Sequence, residues 1–181
     1  MNIRPAKISD VPFIEELIQS YAKEMLLLPR TRLSIIESLP VFRVAEEDGQ
    51  LLGCGALHVL WDDLAEMRSL AVVREARGKG VGTALVQHFL KMAEELGIRR
   101  VFALTYEQRF FARNQFLVVD KNTLPQKVWK DCINCPKLTS CDEVAMLHVI
   151  EKVSPLERPL LEKPNWPIPM VEQKSSAFVN S

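Results

Sequence analysis

The chain is short of glycine, with seven in 181 residues, and has only two tyrosines and three histidines. It has no excess charge of either sign, because Lys+Arg and Asp+Glu both number 23. That balance leaves no broad basic field and argues against a nucleic-acid partner. No apolar run approaches the ~18 residues of a membrane span, and the N-terminus lacks a charged-then-apolar leader. No membrane partner is therefore expected, and a cytoplasmic address is. In that compartment the four cysteines, at 54, 132, 135 and 141, are expected as thiols or ligands rather than disulfides. Two phosphate-binding patterns are also missing. There is no Gly, four residues, Gly-Lys-Ser/Thr loop, and a dinucleotide fingerprint would need glycine at position 83, where the chain has Thr.

Three of the seven glycines are concentrated at 78, 80 and 82. They sit in the stretch Glu66 to Leu85, which reads as an apolar strand, a basic turn and the first turn of a helix. Glycine lets the backbone turn tightly and approach a ligand closely. A helix starting near Gly80 leaves its first N–H groups unpaired. Those donors, the positive helix end, Arg77 and Lys79 together predict an anion site suited to phosphate or pyrophosphate.

Around this stretch the pattern predicts a single domain over 1–150 and a proline-rich tail over 151–181. At 48% apolar and 25% charged, the composition is that of a soluble globular chain. Residues 2–5 read as a strand. Ser9 or Asp10 can cap a helix with Pro12 in its first turn, and the apolar spacing runs from Val11 to Met25. A short helix follows over 31–38. Strands are expected from Phe42, over 51–60 after an Asp48-Gly49 hairpin turn, and over 64–72. The helix after the glycine turn buries Val81, Leu85, Val86, Phe89, Leu90 and Ala93 and ends at Gly97. A strand over 99–105, a helix over 107–114 and strands over 116–119 and 144–149 complete the domain, with 124–129 ambiguous. This order predicts an α/β (α+β) fold, a mixed central sheet with helices on both faces. In the tail, Trp166, Ile168, Met170 and Val171 are apolar enough to pack on the body or on a second copy, so a homodimer is one expectation.

The motif Arg77-x-x-Gly80-x-Gly82, directly after Leu70-Ala71-Val72, resembles the acetyl-CoA signature of the GNAT (Gcn5-related) N-acetyltransferases. Leu-Leu-Pro-Arg-Thr-Arg at 27–32, Leu-Ala-Glu-Met-Arg-Ser-Leu-Ala-Val at 64–72, and Trp-Lys-Asp-Cys-Ile-Asn-Cys-Pro at 129–136 with Cys-Asp-Glu-Val-Ala-Met at 141–146 narrow this further. They are similar to the short-form amino-acid N-acetyltransferases, the stand-alone N-acetylglutamate synthases. The resemblance implies acetyl-CoA and L-glutamate as substrates and a sheet splayed between its fourth and fifth strands, with the thioester in the gap. It implies that Leu70, Ala71 and Val72 offer strand-edge backbone groups to the pantetheine and the acetyl oxygen. It also implies that Arg77, Gly78, Lys79, Gly80, Val81, Gly82 and Thr83 wrap the diphosphate.

Such a reaction needs a neutral amine, whereas an α-ammonium has a pKa of about 8. Glu66, on the strand leading to the cofactor, is the candidate base, directly or through water; its competing reading is a salt-bridged strand residue. Many GNAT enzymes carry a tyrosine acid where this chain has Phe111. Tyr106 is the candidate substitute, with a packed aromatic as the competing reading. Gln115 replaces a glycine usual in the family.

A substrate with two carboxylates calls for guanidinium groups in bidentate geometry. Arg30 and Arg32 match the family's basic pair, and Arg68 shares a strand face with Glu66. No cysteine lies in the cofactor stretch, which favours direct transfer over an acetyl-enzyme. Cys132, Cys135 and Cys141 show one knuckle spacing without its partner. They read as reduced thiols, with structural zinc as the alternative. Cys54 reads as a small apolar residue and His88 as surface. Acceptors other than glutamate, such as a small amine or a protein N-terminus, stay open at this point. So does a non-catalytic acyl-CoA sensor.

Overall fold

The computed structural model describes residues 1–124 and 142–155. Among them, seven strands form one sheet: β1 (Asn2–Pro5), β2 (Phe42–Glu47), β3 (Gln50–Trp61), β4 (Leu64–Val72), β5 (Arg100–Thr105), β6 (Leu117–Val119) and β7 (Val144–Val149), in the order β1-β2-β3-β4-β5-β7-β6. Every neighbouring pair is antiparallel except β4 and β5, which run parallel. The β2–β3 hairpin turns through Asp48 and Gly49, both at positive φ (51° and 77°), as a two-residue hairpin turn of matching twist requires.

Four α-helices among the described residues cover the sheet: α1 (Val11–Lys23), α2 (Arg32–Glu37), α3 (Val81–Glu95) and α4 (Gln108–Arg113). On one face α1 buries Val11, Ile14, Leu17 and Ile18, one stripe at helical spacing, and α2 buries Ile35. These pack on Phe42, Val44, Cys54, Ala56 and Ala71 of β2, β3 and β4. On the other face α3 presents the six residues its spacing predicts, against Ala45, Leu57, Ala65 and Met67. Adjacent residues Val44 and Ala45 thus serve opposite cores, as the two-residue repeat of a strand dictates. Phe89 is fully buried at the centre of the α3 face. Burial of such a side chain contributes roughly 2–3 kcal/mol. The mixed sheet with helices on both faces is the architecture expected from the sequence.

Two expectations change in detail. Asp10 stands at the start of α1 but does not cap it. Its carboxylate faces backward and accepts from the Lys7 N–H at 2.7 Å and from Arg4 Nη1 at 2.7 Å. Arg4 also binds Glu46 at 2.6 Å, so the cap oxygen is committed to tying β1 to the helix start. Thr31, by contrast, does cap α2, accepting from the Ser34 N–H at 3.2 Å. His88 is half-buried rather than on the surface. Its ring meets Phe89 edge-on at 6.2 Å, and burial, with Arg43 nearby, lowers its pKa from the usual value. Cys54 is fully buried, its thiol pushed up to about 12 by desolvation, in keeping with a small apolar role. Residues 125–129, the cysteines at 132, 135 and 141, and the tail beyond 155 lie outside the described residues.

Candidate active site

The parallel pairing of β4 and β5 is short. It joins Leu64 to Arg100, Ala65 to Val101 and Glu66 to Phe102, and then stops. Past Glu66 the two strands separate, and a cavity of about 930 Å³ opens between them. This is the splay between the fourth and fifth strands. The loop from Leu26 to Thr31 closes one side of the cavity, and the start of α3 with Phe110 and Phe111 of α4 closes the other.

β4 is bent at the mouth of this gap. Ser69 has φ 52°, and the β3–β4 register slips there, from Ala56–Arg68 to Cys54–Ala71, so that β4 carries one extra residue. That is a β-bulge, which turns the strand and re-aims its backbone groups. Gly55 lies opposite it. A Cβ at Gly55 would fall 2.8 Å from a ring carbon of Phe89 and 3.2 Å from Leu70 Cδ1, so the bulge and the buried Phe89 together demand glycine.

The glycine turn follows as expected. Gly78 and Gly80 both have positive φ (75° and 85°), and Gly80 is the residue before α3. No side chain caps that helix start, so the amides of its first turn remain available to a ligand. Arg77, Gly78, Gly80, Val81, Gly82 and Thr83 line the cavity, as do Leu70 and Val72. Lys79 is exposed beside the turn, and the Ala71 side chain is buried against the α1 face, so neither belongs to the lining.

Glu66 is the last residue of β4 paired with β5, is only 6% exposed, and lines the cavity. Arg68 Nε donates to Glu66 Oε2 at 2.5 Å, and Arg68 Nη2 contacts the same oxygen. The two side chains thus share a face, as their spacing predicted, and Arg68 meets the carboxylate. Tyr106 lines the cavity further out and donates its hydroxyl to Asp142 Oδ1 at 2.8 Å. Phe111 is buried in edge-on contact with Phe110 and Phe116, at 5.2 and 5.1 Å. Gln115 takes φ 65° at the turn where the family has glycine.

The two arginines of the α1–α2 region part company. Arg30 lines the cavity, with Nη2 donating to Ser34 Oγ at 2.8 Å and to Ser38 Oγ at 3.2 Å. Arg32 points outward, its side chain 62% exposed and paired with Glu15 at 2.6 Å. Sequence reading missed Tyr21, whose hydroxyl reaches Val72 across 51 residues of chain, and the bulge at Ser69. Neither has a local signal, because a serine does not announce a left-handed φ. Among the described residues no cluster of three metal-ligating side chains occurs, and no helix is long and apolar enough to cross a membrane.

Comparison with known proteins agrees with this geometry. The chain is 40% identical to an uncharacterized N-acetyltransferase of Chlorobaculum tepidum, over 82% of this chain and 96% of that one. It is 40% identical to the amino-acid acetyltransferase of Mycobacterium tuberculosis, over 71% and 75% of the two chains. Among solved structures, the N-acetylglutamate synthase of Neisseria gonorrhoeae complexed with coenzyme A and N-acetyl-glutamate superposes with a TM-score of 0.75 at 30% identity. That match covers 82% of this chain and 34% of the longer Neisseria protein. The model of the acetyltransferase (GNAT) family matches residues 11–116, and with it the splayed sheet, the bulge and the glycine turn find one explanation: the chain belongs to the GNAT family.

Proposed function

We propose that this protein transfers acetyl from acetyl-CoA to the α-amine of L-glutamate, as an N-acetylglutamate synthase. The relatives solved with coenzyme A support the donor. The relative named amino-acid acetyltransferase supports an amino acid as acceptor, and the N-acetylglutamate synthase neighbour supports glutamate. The observation that carries the reading is the β4–β5 pairing that ends at Glu66, beside a glycine turn with uncapped helix amides. The donor set fits the ligand. The amides of Val81, Gly82 and Thr83 with Arg77 suit a diphosphate, and the open edge of β4 suits an extended pantetheine taken up like an added strand.

In this scheme Glu66 accepts a proton from the acceptor's ammonium, directly or through one water, and frees the nitrogen lone pair. Arg68, bonded to Glu66 Oε2, holds that carboxylate in place. The amine nitrogen forms a bond to the thioester carbon, and a β4 backbone N–H beside the bulge stabilises the oxyanion. The carbon–sulfur bond then breaks, and the thiolate leaves with a pKa of about 8.5, so an acid helps without being essential. In this scheme Tyr106, which lines the cavity, lends that proton. Arg30 takes an acceptor carboxylate. No acetyl-enzyme intervenes. The reaction puts the enzyme at the first step of arginine biosynthesis, in the cytoplasm.

Two measurements test this. A thiol-release assay across the twenty amino acids should give the fastest turnover with glutamate; a faster rate with another amine overturns the acceptor, and no release with any amine overturns catalysis. Glu66→Gln should lower kcat by about 10²-fold at neutral pH and by less at high pH, where the free amine needs no base. An unchanged pH profile would remove Glu66 from the mechanism.

A further inference from the structure

The polar groups at the end of β4 are already in use. Tyr21, in the last turn of α1, sends its hydroxyl across the cleft, where it donates to the Val72 carbonyl at 2.6 Å and accepts from the Val72 N–H at 3.2 Å. The Arg77 guanidinium lies over the Tyr21 ring, 4.8 Å from its centroid, and Arg77 Nε donates to the same hydroxyl at 3.2 Å. A hydroxyl has one proton and two lone pairs, so these contacts use its whole capacity. Val72 lies past the point where β5 leaves β4, and Tyr21 lines the cavity.

A pantetheine amide laid along this edge needs the same two groups. The Val72 carbonyl can accept twice, but its N–H donates once. Tyr21 and the coenzyme therefore compete for that donor, and Arg77 spends its Nε–H and its ring contact on Tyr21. We propose that Tyr21 is a stand-in for the coenzyme: it occupies the strand edge in the free enzyme, is exchanged for pantetheine on binding, and releases Arg77 to the anion site. The inference rests on the acetyl-CoA reading above. It assigns two tasks to one side chain. In the empty enzyme Tyr21 satisfies an open strand edge, which otherwise invites pairing with another chain. After transfer it competes with the spent coenzyme for Val72 and hastens its departure.

The test is Tyr21→Phe, which keeps the ring and its stacking on Arg77 and removes only the hydroxyl. Calorimetry with coenzyme A should show binding tightened about 5- to 20-fold, the scale of one or two net hydrogen bonds no longer displaced. CoA release in stopped-flow should slow in proportion. Adenosine 3′,5′-bisphosphate, which carries no pantetheine, should gain only the smaller part that comes from freeing Arg77 Nε, well below the gain for coenzyme A. Unchanged or weaker CoA binding by the variant overturns the exchange, and so does equal tightening of both ligands. A wild-type chain that binds no coenzyme A removes the acetyl-CoA reading and this inference together, whereas the sign of the variant's effect judges the exchange alone.

Discussion

Gly80 and Gly97 form a matched pair on which the anion-site reading can be tried. Both have positive φ, 85° and 72°, and a Cβ at either would meet nothing within 4 Å. Alanine at each therefore costs only backbone strain, about 1–2 kcal/mol. The stiffer unfolded chain offsets about 0.4–1 kcal/mol of it. Gly80→Ala and Gly97→Ala should then lose similar stability, roughly 1 kcal/mol, or about 2–4 °C in Tm for a chain of this size. Their effects on catalysis should differ. Strain at Gly80 relaxes by rotating the peptides that lead into α3, which turns amides away from the diphosphate. Strain at Gly97 relaxes at the far end of the same helix. Loss of one hydrogen bond to a charged ligand is worth about 1.5–3 kcal/mol. The KM for acetyl-CoA should thus rise about tenfold or more in Gly80→Ala and stay unchanged in Gly97→Ala. Thermal melts and steady-state thiol release on the two purified variants give both readings. An unmoved KM in Gly80→Ala, or an equal rise in both, would refute the claim that these amides hold the coenzyme.

The remaining expectations concern the acceptor and the fold. Arg30→Ala should raise the KM for glutamate by about tenfold or more while leaving that for acetyl-CoA unchanged, as loss of a charged hydrogen-bond donor to a carboxylate predicts; Arg32→Ala, which removes an exposed pair with Glu15, should change neither by more than about twofold. Asp10→Asn should cost about 1–3 kcal/mol near neutral pH in denaturant melts, because Arg4 loses a charged partner. Arg4, through its hydrogen bond, holds the Asp10 carboxyl below the usual 3.8, so its contribution is complete above that pH and is lost as pH falls through the lower, folded value. The gap between wild type and Asp10→Asn should accordingly close in acid, and a gap that persists or widens there would contradict the assignment.

Most of the architecture could be read from spacing. The stripes on α1 and α3, the Asp48-Gly49 turn and the full extent of β4 all carry local signals, and the helices and strands they predicted are present. The glycine turn was legible for the same reason: only glycine tolerates its φ values cheaply. What escaped was long-range or unsignalled. Asp10 has the identity of a helix cap, but Arg4 on β1 outcompetes the helix amides for it. The contact of Tyr21 with Val72 joins two elements with a whole hairpin between them, and no period in the sequence marks it. Arg30 and Arg32 look equivalent on paper. The α2 start between them sends one toward Ser34 and the other toward Glu15 on α1.

Glu66 stands where the two halves of the sheet are still stitched together, with Phe102 as its neighbour on β5. Blades that pivot about a rivet travel farthest at their tips and least beside it. Whatever width the gap takes to admit a bulky thioester, the Glu66 carboxylate, proposed above as the proton acceptor, keeps its place relative to both halves. A sheet built this way can breathe for cargo without losing the alignment on which proton removal depends.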